Sequence, residues 1–306
     1  MAADIATVPE AGTGPPPPSV LRQFWVTFRS QPRALVGGGI VLLLVAVAVF
    51  APALSPNPPN LVLPNGLTLA GAPIPPMFHM PFILGTDQVG RDELSRLVYG
   101  SRTSLLVGTL STVLALIAGI VVGTASGYFG GTFDTLLMRV VDVIMSLPLL
   151  LAVILLASLM RPSVLTVVGA IAFFTWPLLA RVARSQTLEV RRRPYVDAAL
   201  ALGASHTRIL ARHVLPAVFP VALTYSTLQV ASNILTAASL SFLGIGVPPP
   251  AADWGSMTAQ GLAYYQVAPW LVLFPGIALA LTTLGFNYLG DGLRLTVDPY
   301  GRHRGG

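Results

Sequence analysis

Six continuous apolar runs mark the chain, at about residues 34 to 53, 103 to 125, 134 to 160, 163 to 183, 216 to 242 and 269 to 290. A helix that crosses the hydrocarbon layer of a bilayer needs about 20 such residues, and each run is long enough. Barrel strands would instead alternate polar and apolar residues over about ten positions. The pattern therefore predicts an all-α integral membrane protein with six transmembrane helices. Arg22, Arg29 and Arg33 precede the first run as they would precede a secretory signal. That run exceeds the roughly 7 to 15 apolar residues of a signal, so it is expected to stay as the first span.

Arginines set the expected orientation, because short cytoplasmic loops accumulate basic residues. With the N-terminus inside, the cytoplasmic set holds three arginines in the tail, Arg139 near the third run, seven between the fourth and fifth runs (Arg181, Arg184, Arg191, Arg192, Arg193, Arg208, Arg212) and Arg294, Arg302 and Arg304 at the end. Four lie outside, Arg91, Arg96, Arg102 and Arg161. Both termini are then cytoplasmic, with a long external segment after the first span.

Composition narrows the chemistry. Of 306 residues, 54% are hydrophobic and 10% charged, against about 25% charged in a soluble domain. There is no Cys, and all 18 basic side chains counted as Lys plus Arg are Arg. Without Lys there is no Walker A loop and no Schiff base, and without Cys no thiolate nucleophile, disulfide or Cys-ligated metal. The formal charge of +6 follows from arginines flanking the spans and calls for no nucleic acid. His79, His206, His213 and His303 lack the i, i+4 spacing of a helical zinc pair, so no metal site is expected.

The cytoplasmic stretch from Arg191 to Pro216 reads RRRPYVDAALALGASHTRILARHVLP. Pro194 suits the first turn of a helix, and Asp197 sits where the helix dipole favours a carboxylate. Gly203 can take the left-handed conformation that ends a helix. Ser205 can cap a second helix, which Pro216 hands to the fifth span.

The order of Asp197, Ala198, Ala199, Gly203, Leu215 and Pro216 resembles the EAA motif in membrane subunits of bacterial ABC importers. Further matches lie in Gly85 to Asp92, Ser95-Arg96 and Tyr99 to Arg102, then in Leu240 to Gly244, Asp253 to Met257, Pro269-Trp270, Phe274 to Gly276 and Asn287 to Arg294, closing on Asp298-Pro299. Together these look like the C-type permease subunit of the dipeptide, oligopeptide and nickel importer family, over about residues 85 to 300. Asp197 stands where the motif more often has Glu, Leu200 where a basic residue is common and His213 where Ile is usual.

The resemblance implies a type I ABC importer permease fold with a cytoplasmic coupling helix and no catalytic residues. On that reading 1–33 is a cytoplasmic tail, partly disordered around Pro15 to Pro18, 34–53 the first span and 54–101 an external loop. Residues 102–293 form a five-helix permease core with a coupling loop at 184–215, and 294–306 a cytoplasmic tail. The implied partners are a B-type permease, two ATPase subunits that bind ATP and Mg, an external solute-binding protein and the inner-membrane bilayer. Peptides are the implied cargo, with nickel chelates or glutathione as alternatives.

Tyr225, Gln229, Ser232, Thr236 and Ser239 recur at intervals of four, three, four and three on the fifth run, flanked by Asn233. They share a helical face that is either hydrogen-bonding glue between helices or the wall of a translocation path. Gly119, Gly123 and Gly127 form a small-xxx-small series expected to pack helices within the subunit. Arg139 and Asp142 are spaced to pair on one helix face; that pair and Asp134 are read as structural. Pro148, Pro177 and Pro275 fall inside apolar runs, where each permits a kink. No run contains a His, which excludes a serine-type intramembrane protease, and few acidic residues lie at mid-run as a proton-coupled carrier would need.

Overall fold

The computed structural model describes residues 26–77 and 82–297. In chain order these form α1 (Pro32–Val49), α2 (Ala51–Leu54), α3 (Glu93–Phe129), α4 (Gly131–Met145), α5 (Leu149–Ser158), α6 (Val164–Arg191), α7 (Pro194–Ala201), α8 (His206–Ile209), a π turn (Leu210–Val214), α9 (Leu215–Phe242), α10 (Trp254–Leu262) and α11 (Trp270–Val297). Among the described residues, β-pairing is limited to isolated bridges such as Val62 with Arg91 and Thr86 with Asp92. The polyproline stretch, His79, His303 and Asp298-Pro299 lie outside the described residues.

Among the described residues, five helices are long and apolar enough to cross a membrane: α1, α3, α6, the continuous His206–Phe242 rod containing α9, and α11. The third apolar run, expected as one spanning helix, is instead α4 and α5, set at 87° to each other. Ser146 Oγ donates to the Val143 carbonyl (2.7 Å) as α4 ends. Leu147 precedes a proline, which disfavours helical backbone, and Pro148 is extended at ψ 115°. The expected kink is thus a break.

α3 begins ten residues before its apolar run. Asp92 caps it by accepting from the Ser95 amide, and Gly130, at φ +68°, ends it. Its first turns are polar yet buried, because residues 55–77 and 82–91 fold back over them. There the Asn57 amide donates to Ser95 Oγ (3.2 Å), and Arg96 Nη1 donates to the Pro59 carbonyl (3.3 Å).

Glycines set the closest helix packing. A Cβ on Gly119 would lie 2.6 Å from Leu179 Cβ, on Gly123 2.2 Å from the Ala180 carbonyl and on Gly127 2.9 Å from that of Arg184. The small-residue series therefore joins α3 to α6 within the subunit, as expected. Pro177 and Pro275 are accommodated inside α6 and α11.

Candidate coupling segment and polar helix face

Local chemistry shapes the segment after α6. Arg193 is extended, Pro194 opens α7 and Asp197 lies in its first turn. At its end the Gly203 amide donates to the Leu200 carbonyl (2.9 Å) and the Ala204 amide to that of Ala199 (3.0 Å). This is a Schellman motif, which needs a left-handed residue, and Gly203 supplies it at φ +80°. Ser205 Oγ then accepts from the Arg208 amide (3.4 Å) to begin α8. The helix runs on into α9 through the π turn, where the Pro216 ring crowds the carbonyl four residues back and no proline N–H exists to close a regular turn.

Val196 anchors α7. It is fully buried among Tyr128, Ala183, Val190, Ile209, Val214 and Val218. Away from it Asp197 and Ala198 are exposed, Ala199 is half-buried, and Leu202 is 88% exposed just beyond. Nothing lies within 4 Å of a Cβ built on Gly203. Leu215 and Pro216 are exposed at the start of α9, beyond buried Ile209 and Val214, so the six motif residues are largely outward at the two ends of a segment held by buried side chains.

The same end of the bundle carries two interhelical ion pairs. Arg184 Nε and Nη2 of α6 donate to the two carboxylate oxygens of Asp134 on α4, each at 2.6 Å, and Ser126 of α3 donates to the same carboxylate. Asp142 accepts from Arg181 Nη2 (2.5 Å). The expected Arg139–Asp142 pair is therefore corrected: α4 lies against α6, whose arginines, one turn apart, reach both aspartates.

The polar face of α9 divides. Gln229 Nε2 donates to Asn233 Oδ1 (3.0 Å), and Asn233 Nδ2 donates to Thr112 Oγ1 of α3 (2.9 Å). Asn233 is fully buried. Thr236 and Ser239 return their hydroxyls to the Ser232 and Leu235 carbonyls, while the Tyr225 ring faces the Arg294 guanidinium at 5.9 Å. Gln229 and exposed Ser232 line a cavity of about 250 Å³ with Thr175, Phe174 and Leu178 of α6 and the α4–α5 elbow. Ser239 lines a different cavity, beside Thr258 and Leu279.

At the opposite end, a charged cluster had been visible only as part of a motif. Asp87 of the folded-back segment accepts from Arg91 Nε (2.6 Å) and lies 3.4 Å from Arg96 Nε of α3, all three being largely buried. Asp253 caps α10 and accepts from Ser104 Oγ of α3 (3.2 Å). Burial pushes its carboxyl above the usual range, while hydrogen bonds from Ser256, Ser241 and Ser104 oppose that rise. The sequence signal was faint: an i, i+4 Asp–Arg spacing for Asp87, and an Asp three residues before a Ser amide for Asp253.

Known proteins resemble the chain over most of its length. The family described as "Binding-protein-dependent transport system inner membrane component" matches residues 115–300. The N-terminal TM domain of oligopeptide transport permease C matches residues 19–72, ahead of the motifs between about residues 85 and 300. The di/tripeptide transport system permease protein DppC of Pseudomonas aeruginosa is 38% identical, covering 92% of this chain and 93% of that one. The oligopeptide transport system permease protein OppC of Bacillus subtilis is 37% identical over 92% and 90%. The glutathione transport system permease protein GsiD of Pectobacterium atrosepticum is 37% identical over 91% and 90%. In fold, the chain is similar to an inward-facing structure of the MetNI methionine ABC transporter, with a TM-score of 0.55 and 17% identity, covering 66% of this chain and 96% of that one. A multi-span helical bundle with these relatives is a transport component rather than a catalyst, and the chain belongs to the family of inner-membrane permease subunits of binding-protein-dependent ABC importers.

Proposed function

We propose that this subunit forms half of a translocation path for peptides, paired with a second, B-type permease and driven by two ATPase subunits that bind ATP and Mg. An external solute-binding protein delivers the cargo. The observation that carries this reading is α7, a short capped helix with a buried foot at Val196 and an outward face of Asp197, Ala198 and Leu202. Such a lever fits a cleft on another protein. The arginine distribution supports a cytoplasmic position for it and for both termini.

Relatives named for di/tripeptide, oligopeptide and glutathione transport support a peptide-like cargo. The cavity at the α4–α5 elbow offers neutral hydrogen-bonding groups, Gln229, Ser232 and Thr175, among apolar walls. Neutral groups suit backbone amides whatever the side chains that accompany them. Gln229 and Ser232 are the path-facing members of the polar face, and Asn233 joins helices.

Copurification with coexpressed partners tests the assignment. The tagged chain should bring down a second permease and two ATPase chains, hydrolyse no ATP alone and support uptake of labelled peptide in vesicles. ATP turnover by the isolated chain, or uptake without ATPase subunits, would overturn it.

A further inference from the structure

α7 has two structural routes into the bundle. One runs along the chain through α8 and the π turn into α9. This route contains a widened turn and a proline at its join, where regular i to i−4 bonding is interrupted. Such a join bends at lower cost than an unbroken helix.

The other route crosses space. The Tyr128 hydroxyl, at the end of α3, lies 2.8 Å from His206 Nδ1 at the start of α8. The two rings meet edge-on with centroids 5.7 Å apart, and the Phe129 ring closes the corner 6.4 Å from the imidazole. Tyr128 is buried in the same cluster as Val196 of α7, and the Arg191 guanidinium stands 6.0 Å from its ring centre. One residue before it, Gly127 sits tightly against the Arg184 carbonyl and Thr187. One residue earlier again, Ser126 donates to the Asp134 carboxylate that Arg184 holds. The last turn of α3 is thus fixed to α4, α6 and the coupling segment at once.

We propose that Tyr128 and His206 are a positioning pair that delivers the movement of α7 to α3, while the π turn lets α9 follow with a different displacement. This inference rests on the reading of α7 as the coupling helix. On it, ATPase motion enters the membrane through the α3–α6 unit, whose glycine seam leaves little room for the helices to slide.

The test uses the whole complex, reconstituted with its ATPases and binding protein, and reads the ratio of binding-protein-stimulated to basal ATP hydrolysis. Tyr128→Phe keeps the ring in its cluster and removes only the hydroxyl. It should lower the ratio about fivefold, on the scale of one lost hydrogen bond. His206→Ala should do the same, the double variant should be no worse than either single change, and His206→Asn should retain the ratio because its side-chain amide stands near the place of Nδ1. A normal ratio in Tyr128→Phe would overturn the proposal, as would equal losses in all variants, His206→Asn included, matched by reduced thermal stability. Gly203→Val, measured alongside, separates the two readings. If it abolishes stimulation while Tyr128→Phe does not, the positioning pair alone fails; if neither changes stimulation, the coupling role of α7 fails with it.

Discussion

Arg184 of α6 grips Asp134 of α4 through two parallel hydrogen bonds of 2.6 Å. Together with the Ser126 hydroxyl on the same carboxylate, this bidentate arrangement fixes the direction of α4 close to its Gly130-Gly131 start, where both glycines have positive φ. It holds one arm of the broken span while the elbow at Pro148 turns the other through 87°. The elbow lines the cavity that contains Gln229 and Ser232, so the ion pair positions one wall of the proposed path.

Asp134→Asn should lower the stability of the solubilised complex by about 1–3 kcal/mol, because a partly buried guanidinium loses a charged bidentate acceptor. Asp142→Asn should cost less than about 1 kcal/mol, since Asp142 and Arg181 are both nearly half exposed, at 47% and 48%. Thermal unfolding of both variants checks the ordering.

The helix seam gives a second contrast. Gly123→Ala would place a methyl 2.2 Å from the Ala180 carbonyl. Backbone cannot yield as a flexible side chain can, so α3 and α6 must separate, at about 1–3 kcal/mol. Gly276→Ala on α11 meets nothing within 4 Å and should be neutral or stabilising by about 0.5–1 kcal/mol. Yields of assembled complex and melting temperatures would show the difference.

Polar residues of α9 should separate by role. Asn233→Leu removes the acceptor of the Gln229 amide and the donor to Thr112 in a buried network; Thr112 keeps its bond to the Gly108 carbonyl, but the Gln229 amide is left without its partner, costing about 1–3 kcal/mol, and assembly should fall. Ser232→Leu puts bulk into the elbow cavity and should slow uptake with assembly intact. Loss of assembly in Ser232→Leu would assign that position to helix packing instead.

Much of the coupling segment was legible because its signals are local. Pro194, Gly203 and Ser205 each impose a conformation within one turn, and each does so here. Hydropathy also located the spans, yet it misplaced the start of α3, whose first turns are polar and are buried by a segment dozens of residues earlier. It read the third run as one span with a kink at most, because an apolar run carries no record of direction and Pro148 alone does not distinguish a kink from a break. The Asp142–Arg181 and Tyr128–His206 contacts join residues 39 and 78 positions apart, and spacing along one helix could not reveal them.

The most direct test of the coupling role is ATP hydrolysis by the reconstituted importer with and without loaded binding protein. Gly203 has open space around it but φ +80°, so Gly203→Val acts through backbone strain of about 1–2 kcal/mol rather than through a clash. Assembled Gly203→Val complexes should hydrolyse ATP without responding to loaded binding protein. Asp197→Ala should weaken the response, and Asp197→Glu should keep it. Full stimulation and normal uptake in both Gly203→Val and Asp197→Ala complexes would contradict the account.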